Sequence, residues 1–414
     1  MNKQKAILLC GNGKSGESIP IIKSWGYKVY LISEFDQDNG VEHADVHKVV
    51  YAKKPKEALN AAIELHNGGY KFDGVISLCT ESAISVAHIT EHFGLKGVSL
   101  ETALDASHKH RRSDLFEKHK VSAPKYRVAE NYKQAQKHAE NIGFPLVVKP
   151  VDLSFAKGTS LVESIDDLQK AYEEAVNVST SDNPVVVMNE YISGTEYSTE
   201  GLMIDGRLYL TAISERVFAY DIFKPYFIEV GDIMPTLLSK DTQEELEKQT
   251  QKAAHALGIT DGVVKGDLIV NQKGTVYVFE LAARLGGPRF GTEMVPISNG
   301  TNILRAAIQQ AIGEKIDISL LERKYNKGMV NRAIFPAPGK VTSITGLGAL
   351  NKCDGFYDFK WFTDTPLSEG DIIPEYKDNS CTVAYFIASG ETREEALKNA
   401  DTIERKIKIS TQPL

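Results

Sequence analysis

The chain has 414 residues and a formal net charge of −7, from 48 Lys and Arg against 55 Asp and Glu. This length predicts two to four domains, and the 42% hydrophobic and 25% charged fractions are those of an ordinary soluble globular protein. The acidic balance argues against nucleic acid as a partner, because nucleic-acid-binding surfaces are basic.

No apolar run reaches membrane-spanning length, and the run from Ala6 to Cys10 is too short for a signal peptide core. The four cysteines are widely spaced and form no C-x-x-C pair, so neither a zinc site nor a disulfide framework is indicated. We therefore expect a cytoplasmic protein without a membrane partner.

Strands and helices alternate up to about residue 105, with strands at 6–10, 28–32 and 74–78 and helices ending near 25 and covering 55–66. This alternation is typical of a parallel sheet with right-handed crossovers. Residues 1–105 are therefore predicted to form an N-terminal parallel-sheet, Rossmann-like domain.

Beyond residue 105 the pattern changes to antiparallel strand pairs and longer helices, which predicts three further α+β units. A basic helix, a strand pair around Val147 and Val162, and a helix at 165–176 fall within 106–188. Residues 189–315 have strands of a largely antiparallel sheet and helices at 241–257 and 301–312. Residues 326–414 have strands at 330–335 and 381–388 and a helix at 392–407. The predicted fold class is thus multidomain α/β and α+β.

A glycine-rich motif, Gly-Asn-Gly-Lys-Ser-Gly at 11–16, follows the first strand and opens a helix. It fits G-x-G-x-x-G, and Glu34 stands where a ribose-binding acid belongs, so a nicotinamide-dependent oxidoreductase is one hypothesis. The motif alone does not decide, because any tight strand-to-helix turn in a parallel sheet favours glycine. A P-loop is rejected, because Leu8 stands where its first glycine should be.

A lysine ends the apolar strand 146–149, and a loop with hydroxyl, cationic and glycine positions follows at 150–159. Such a loop can close over phosphates. A plain hairpin loop would explain Gly158 but not Lys149 at the end of an apolar strand. The histidines of the basic segment 107–112 upstream are interpreted as part of a solvated helix face, since they have no third metal ligand.

Two acids, Asp267 and Glu280, stand on apolar strands that the turn 271–274 joins as a hairpin. Such a pair would repel and lose solvation, and a divalent cation would remove that cost. Exposure of both acids at the surface is the alternative. The acids Glu190 and Glu196 follow another apolar strand, 185–188, at a Ser-Gly turn, which is a suitable place to bind a polar ligand.

Together these segments resemble the ATP-grasp superfamily, in its carboxylate–amine (L-amino acid) ligase branch, over nearly the whole chain. Each motif alone is loose, and their order and spacing carry the resemblance. It implies a pre-ATP-grasp domain at 1–105, small and large ATP-grasp subdomains at 106–188 and 189–315, and a C-terminal unit at 326–414. It also implies two departures from the family: Phe155 replaces a glycine of the phosphate loop, and Ala282 replaces an asparagine near the second metal acid.

The resemblance further implies the ligands ATP and Mg²⁺ and a role for each matching residue. Lys109, Lys149, Ser154, Lys157 and Gly158 would bind ATP phosphates, and Glu190, Tyr191, Ile192 and Glu196 would contact adenine and ribose. Asp267 and Glu280 would hold Mg²⁺, and Arg284, Lys149 and Lys157 would be catalytic. The substrate candidates are Glu215, Arg216, Gly286, Gly287 and Arg289.

Arg289 has two interpretations, a clamp for the substrate carboxylate or a surface residue of a mobile loop. The implied function is an ATP-dependent ligase that makes an acyl phosphate, transfers the acyl group to an amine and releases ADP and phosphate. Its partners would be small-molecule carboxylates and amines, and a homodimer is the assembly considered. A carboxylase acting through carboxyphosphate, the oxidoreductase and a regulatory nucleotide-binding protein stay open as alternatives.

Overall fold

The computed structural model describes residues 4–11, 16–34, 40–287, 289–363 and 365–414. Within these ranges no helix is long and apolar enough to cross a membrane. The middle of the glycine motif, residues 12–15, lies outside the described residues.

The N-terminal unit is built on a parallel sheet, as predicted. Its strands stand in the order β3 (Val46–Val49), β2 (Lys28–Ser33), β1 (Ala6–Cys10) and β4 (Gly74–Ile76). Every residue of β1 is buried, because helices cover both of its faces. The helices of this unit are α1 (Ser18–Ser24), α2 (Pro55–Asn67), α3 (Ala83–Phe93) and α4 (Leu100–Ser107).

The small subdomain has an antiparallel sheet in the order β5 (Tyr126–Ala129), β8 (Val186–Glu190), β6 (Leu146–Pro150) and β7 (Ser160–Val162). Helices α6 (Tyr132–Ile142) and α7 (Ile165–Val178) pack on it, and α5 (Lys109–Lys118) precedes it. A capping box at Ser164 and Asp167 fixes the start of α7, which agrees with the predicted start at 165.

An eight-stranded sheet forms the rest of the molecule. Its order is β13 (Val276–Ala282), β12 (Gly262–Asn271), β9 (Gly194–Ile204), β10 (Arg207–Phe218), β11 (Glu229–Met234), β14 (Gly328–Ile334), β18 (Ala384–Gly390) and β16 (Phe356–Trp361). All seven pairings are antiparallel. Three of these strands come from beyond residue 326, so the sheet runs across the predicted boundary between 315 and 326. The reason is that β11 pairs with β14 instead of ending the sheet.

Helices cover one face of this large sheet along most of its width. Helix α9 (Lys240–Ala256) packs at the β12–β9 end, and α12 (Arg393–Lys406) packs at the β14–β18 end. The remaining elements are α8 (Tyr220–Phe223), a π-helical turn (Phe290–Met294), α10 (Val295–Asn299), α11 (Ile303–Ala311) and a small sheet of β17 (Ile372–Ile373), β15 (Gly339–Thr345) and β19 (Lys408–Gln412). Part of the opposite face packs against α10, α11 and the N-terminal unit, and polar side chains gather on the rest of it.

Candidate active site

A row of polar side chains begins on β9, whose residues alternate between the two faces of the sheet. Tyr197 and Met203 enter the core under α9, so Glu196, Ser198 and Glu200 point to the opposite face. This row continues onto β12, because the Ser198 hydroxyl donates to Asp267 Oδ1 at 2.9 Å.

Arg216, on β10, lies at the centre of the row. Its Nη1 is 3.2 Å from Glu196 Oε2 and 3.3 Å from Asp267 Oδ1. Its Nε and Nη2 donate to the two oxygens of Glu229 at 3.0 and 2.6 Å. Burial raises the pKa of Glu196 to about 7 even though Arg216 opposes the shift. The structure thus brings together three residues that were predicted to act in ribose, metal and substrate binding.

The predicted metal acids lie directly opposite each other on β12 and β13. Asp267 is buried, with 6% of its surface exposed, so exposure of both acids at the surface is wrong. Burial alone would raise the pKa of Asp267, but Arg216 and Lys265 outweigh it and hold the pKa below its usual value. Glu280 is half-buried and lies 3.4 Å from Arg112.

This acid pair fits a magnesium ion better than a metal with an all-protein ligand cage. Ser198, Lys265 and Arg216 all approach Oδ1 of Asp267, which leaves Oδ2 without a donor among the described residues. The same part of the chain has no group of three or more His, Cys, Asp or Glu that could hold a metal. Mg²⁺ is typically held by one or two carboxylates together with phosphate oxygens and water.

The two predicted phosphate lysines lie together beside Glu280. Lys109 Nζ donates to the carbonyl of Leu153, within the phosphate loop. Lys149 has no hydrogen-bond acceptor for its side chain among the described residues. Burial lowers the pKa of Lys149 to about 7, nearby Lys109 lowers it further, and Glu280 opposes both effects. A half-buried lysine without an acceptor is ready to receive an anion.

The histidines beside Lys109 are half-buried, so the interpretation of a solvated face for them was wrong. Arg112 is 3% exposed and donates to the Ala106 carbonyl at 2.7 Å. The Nδ1 atoms of His108 and His110 are buried without partners among the described residues. Arg112 faces inward because α5 packs beside the acid on β13.

The predicted phosphate loop, residues 150–159, packs against the C-terminal unit. Phe155 has a φ of 59° and packs its ring edge-on against Phe362, with centroids 6.1 Å apart. Ser154 is exposed, and the Lys157 side chain has no hydrogen bond or ion pair within the described ranges. Gly158 has a φ of 64°, and a Cβ there would lie 2.5 Å from Val178, so glycine is required.

The predicted adenine segment, Glu190, Tyr191 and Ile192, is where the chain passes from the four-stranded to the eight-stranded sheet, since β8 ends at Glu190 and β9 starts at Gly194. The Glu190 amide donates to the Lys125 carbonyl at 2.9 Å. Tyr220, from the segment after β10, donates its hydroxyl to Glu196 at 3.1 Å. The predicted adenine segment and Glu196, the predicted ribose acid, therefore lie on either side of the start of β9.

The glycine turn after β13 is closed by the N-terminal unit. Arg284 donates to Glu81, and the Cys79 thiol donates to the Gly286 carbonyl at 3.0 Å. The Gly286 amide donates to Glu200 at 2.9 Å, and a Cβ at Gly287 would lie 2.8 Å from Cys79. Both glycines are needed for this close approach.

Two predicted substrate residues have structural partners of their own. Arg289 is 3% exposed, donates to Glu293 and lies 2.6 Å from Asp358, so the surface-loop interpretation is wrong. Glu215 points to the opposite face of β10 from Arg216 and accepts from Arg393 at 2.8 Å. Glu215 is therefore not brought together with the other candidates.

Several charged residues at this site, ranging from buried to exposed, were not predicted. Glu200 accepts from Gly286, and burial raises its pKa to about 8. Lys265 and Glu81 complete the ion pairs around Asp267 and Arg284. The available signal was polar residues two apart on apolar strands, namely 196, 198 and 200 on β9, 214 and 216 on β10, and 265 and 267 on β12.

Family models match two parts of the chain. The ATP-grasp domain model matches residues 142–292, which include Lys149, Asp267 and Glu280 but not Lys109. The model of L-amino acid ligase C-terminal domain 2 matches residues 332–412. The chain has an ATP-grasp domain and an L-amino acid ligase C-terminal domain. The second match coincides with the strands that extend the large sheet beyond β11 of the ATP-grasp domain.

Relatives of known function are similar at low identity. An L-arginine-specific L-amino acid ligase from Bacillus subtilis is 22% identical over 77% of this chain and 76% of its own length. The carbamoyl phosphate synthase large chain of Pasteurella multocida is 24% identical over 70% of this chain. A formate-dependent phosphoribosylglycinamide formyltransferase from Prochlorococcus marinus is 28% identical over 46%. The chain spans 26% and 48% of the length of the last two.

Solved structures agree on the fold. An L-amino acid ligase from Bacillus licheniformis has a TM-score of 0.84 at 21% identity, with both chains covered completely. A biotin carboxylase domain from Hydrogenobacter thermophilus, solved with MgADP, has a TM-score of 0.72 at 17% identity over 98% of this chain and 90% of its own. Neither these structures nor the relatives named above support the nicotinamide oxidoreductase hypothesis.

Proposed function

We propose that this chain is an ATP-dependent ligase that activates a carboxylate as an acyl phosphate and joins it to an amine. One observation carries the proposal most directly. Lys109 and Lys149 lie together beside Glu280, and Glu280 lies opposite Asp267. Two lysines suited to bind phosphate therefore lie beside a pair of carboxylates suited to bind magnesium. The residues come from α5, the four-stranded sheet and the eight-stranded sheet.

In this proposal ATP lies between the two sheets. The adenine contacts the hinge formed by Glu190, Tyr191 and Ile192, and the ribose contacts Glu196. The loop residues Ser154, Lys157 and Gly158 cover the phosphates. Magnesium, held by Asp267 and Glu280, would neutralise charge on the β- and γ-phosphates.

The chemistry needs no protein nucleophile. An oxygen of the substrate carboxylate attacks the γ-phosphorus, the bond to the β-phosphate oxygen breaks, and ADP leaves. The amine nitrogen then attacks the acyl carbon, inorganic phosphate leaves, and the nitrogen loses a proton. Arg284 and Lys149 stabilise the charge that develops during transfer, which is an electrostatic task for fixed cations.

The substrates are proposed to be an amino acid as the carboxylate and a second amine as the nucleophile. The C-terminal domain match and the B. subtilis relative support this class. A cytoplasmic location and a homodimeric assembly belong to the same proposal, and sedimentation velocity measures the assembly.

The test is ADP release by the purified full-length chain with ATP, Mg²⁺ and a matrix of amino acids, other carboxylates and amines, with mass spectrometry of the products. We expect ADP and an amide in equal amounts for some pairs. Bicarbonate-dependent ADP release that forms a carbamate instead would favour the carboxylase alternative. If no pair releases ADP while the chain still binds ATP, the ligase proposal is overturned.

A further inference from the structure

A cavity lies between the N-terminal unit and the large sheet, and its lining includes no lysine or carboxylate of the candidate active site. Its volume is about 400 Å³, which is the size of a pocket for a small organic molecule. One side is formed by β4, α3 and the segment 95–98, and the other by the start of β12, the turn after β13 and α11. We call it the interdomain cavity. Among its lining residues, Arg284 is the one that belongs to the predicted site.

The walls of the interdomain cavity are mostly apolar. The N-terminal unit contributes aliphatic side chains from β4 and α3, and the ATP-grasp domain contributes others from β12, α11 and the turn after β13. The wall residues include Val75, Ile76, Val86, Val263, Leu285 and Ala307. Burial of apolar surface against such walls is favourable, so the body of a ligand that fits here is apolar.

The mouth of the interdomain cavity carries two acids and one lysine, all exposed: Asp205, Asp261 and Lys96. The Asp205 amide and Gln310 Nε2 both donate to Asp261 Oδ1, each at 3.2 Å. Within the described ranges, Asp261 Oδ2 and the Asp205 carboxylate accept no hydrogen bond and form no ion pair. The mouth therefore has a net negative charge and carboxylate oxygens that are free to accept from a ligand.

The polar groups at the inner end of the interdomain cavity already have partners. Arg284 donates to Glu81 and, through Nη1, to the Leu285 carbonyl at 3.0 Å, so its charge is balanced. The Ser77 hydroxyl donates to the Thr80 carbonyl at 2.8 Å. A charged group on the ligand is therefore favoured at the mouth and not at the inner end.

Walls and mouth together select an amphipathic amine. A protonated amine donates charge-assisted hydrogen bonds to carboxylates, whereas an anion of the same shape is repelled by the two acids. A neutral molecule of that shape gains the apolar contacts alone.

The two sides of the interdomain cavity also belong to the two partners that meet at the glycine turn. Ser77 precedes Cys79 and Glu81, and Leu285 precedes Gly286. Across this junction the Cys79 thiol donates to the Gly286 carbonyl at 3.0 Å, and Arg284 donates to Glu81. An occupant that touches both sides favours this arrangement over one in which they separate, because it binds the joined form better.

We propose that the interdomain cavity binds a small amphipathic amine as an effector, and that its occupancy raises the reaction rate by holding the glycine turn against the N-terminal unit. The binding goes beyond the function proposed above, and the effect on rate rests on that function.

The binding test uses N,N-dimethylhexylamine. This tertiary amine is protonated near neutral pH, and it cannot act as the acyl acceptor because its neutral form has no N–H to lose. Calorimetry of the full-length chain with saturating MgATP should give saturable binding. We expect 1-heptanol to bind about fivefold more weakly, because it lacks the charge, and octanoate to bind more weakly still.

Three variants locate the amine. Ala307→Phe fills the interdomain cavity from α11, since Ala307 is 4% exposed and lines it. Asp205→Asn and Asp261→Asn each remove one negative charge at the mouth, and asparagine tolerates the φ of 49° at Asp205. Each variant should weaken binding about fivefold, or about 1 kcal/mol. Asp354→Asn makes the same change of charge at an exposed turn of the C-terminal domain and should keep the affinity. If Ala307→Phe fails to fold, the two mouth variants still decide.

The rate test measures ADP release with the best substrate pair of the matrix. We expect the amine to raise the maximal rate about twofold, with a half-maximal concentration equal to the Kd from calorimetry. Absence of saturable binding, equal binding of octanoate, unchanged affinity in all folded variants, or a rate that does not rise would each overturn the inference. Absence of ADP release with every substrate pair would instead overturn the ligase function. Calorimetry does not depend on turnover, so the two failures are distinguishable.

Discussion

The backbone amide of Asn379 donates a hydrogen bond to the carbonyl oxygen of Phe155 at 2.9 Å. The side-chain oxygen of Asn379 accepts from the Glu229 amide at 2.8 Å, and the Glu229 carboxylate holds Arg216. One residue of the C-terminal domain therefore ties the phosphate loop to the centre of the site.

The ring contact between Phe155 and Phe362 holds the same loop against the C-terminal domain. We therefore predict that weakening this contact lets water reach the proposed acyl phosphate. Phe155→Ala and Phe362→Ala each remove one ring of the same pair, so we expect each to raise ADP release without amide formation. The double variant should do no more than the single ones, because both remove one interaction. Coupled assays of ADP and amide measure the ratio of ADP released to amide formed. Ile222→Ala, which truncates an equally apolar but freely exposed side chain, should keep it. Additive effects would contradict the contact's role.

Substitutions of the two predicted metal acids should reduce protein stability by different amounts, although both should reduce turnover. Glu280→Gln is expected to lose most activity with a smaller loss of stability than Asp267→Asn, because Glu280 is half-exposed and makes one ion pair, with Arg112. Asp267→Asn should lose activity and also about 3–5 kcal/mol of stability, because it leaves Lys265 and Arg216 buried beside a neutral group. Initial rates across a magnesium titration, with urea unfolding, check both. Near-wild-type rates at limiting magnesium in both variants would refute the assignment.

Lys149 should take up a proton when ATP binds. Burial lowers its pKa from 10.5 to about 7, so near pH 7.5 much of the free protein has a neutral amine. Phosphate charge favours the protonated form and raises the pKa again. Calorimetry in buffers of different ionisation enthalpy measures the uptake. Lys149→Arg should abolish it, since arginine is always charged, whereas Lys170→Arg on α7 should not. Equal uptake in wild type and Lys149→Arg would assign the proton elsewhere.

Glu200 should make the free protein less stable as pH rises. Burial raises its pKa from 4.5 to about 8, so its contribution to stability is complete below pH 4.5 and is lost as pH rises to about 8. Glu200→Gln removes this loss, so the melting temperature should fall less steeply over that range. Scanning calorimetry from pH 5 to 8.5 tests it. Glu244→Gln on the exposed side of α9 should keep the wild-type slope, and identical slopes in all three proteins would refute the prediction.

The two arginines of the glycine turn should differ in what they affect. Arg284→Lys is expected to lower the maximal rate, since the residue faces the phosphate chemistry. Arg289→Lys should mainly lower the melting temperature, because a lysine cannot bond Glu293 and Asp358 at once as the guanidinium does. Rates and thermal unfolding of both variants separate the effects. A stable Arg289→Lys protein with a raised KM for the acid would instead favour the interpretation of Arg289 as a clamp for the substrate carboxylate.

The regular elements were predictable because their signals are local. Apolar strands beside glycine turns marked β1, β6 and β12, and the helix at 392–407 was found within one residue of α12 because its alternation of apolar and charged positions is helical. The continuation of the large sheet across residues 315–326 was not predictable. It depends on which strand pairs with β11, and that partner lies about 100 residues away.

The site was predictable in its residue types and not in its pairings. Lys149, Asp267 and Glu280 stood out because charged residues are unusual at the ends of apolar strands. The interactions of Arg289 with Glu293 and Asp358 could not be inferred, because Asp358 comes from a strand that reaches the turn only in the folded chain. Arg112 was not singled out for the same reason, since a sequence does not show which helix face a distant acid will meet.

The eight-stranded sheet contains strands of both the ATP-grasp domain and the C-terminal domain. This sheet therefore determines where the protein can be recombined with its relatives. A hybrid joined between residues 315 and 326 would pair β11 of one parent with β14 of another, so every backbone hydrogen bond at that seam would have to match. Joining at 191–193, between β8 and β9, cuts a connection that carries no strand pairing. Exchange of acyl-donor preference between such enzymes should therefore succeed when everything from β9 onward is transferred as one block.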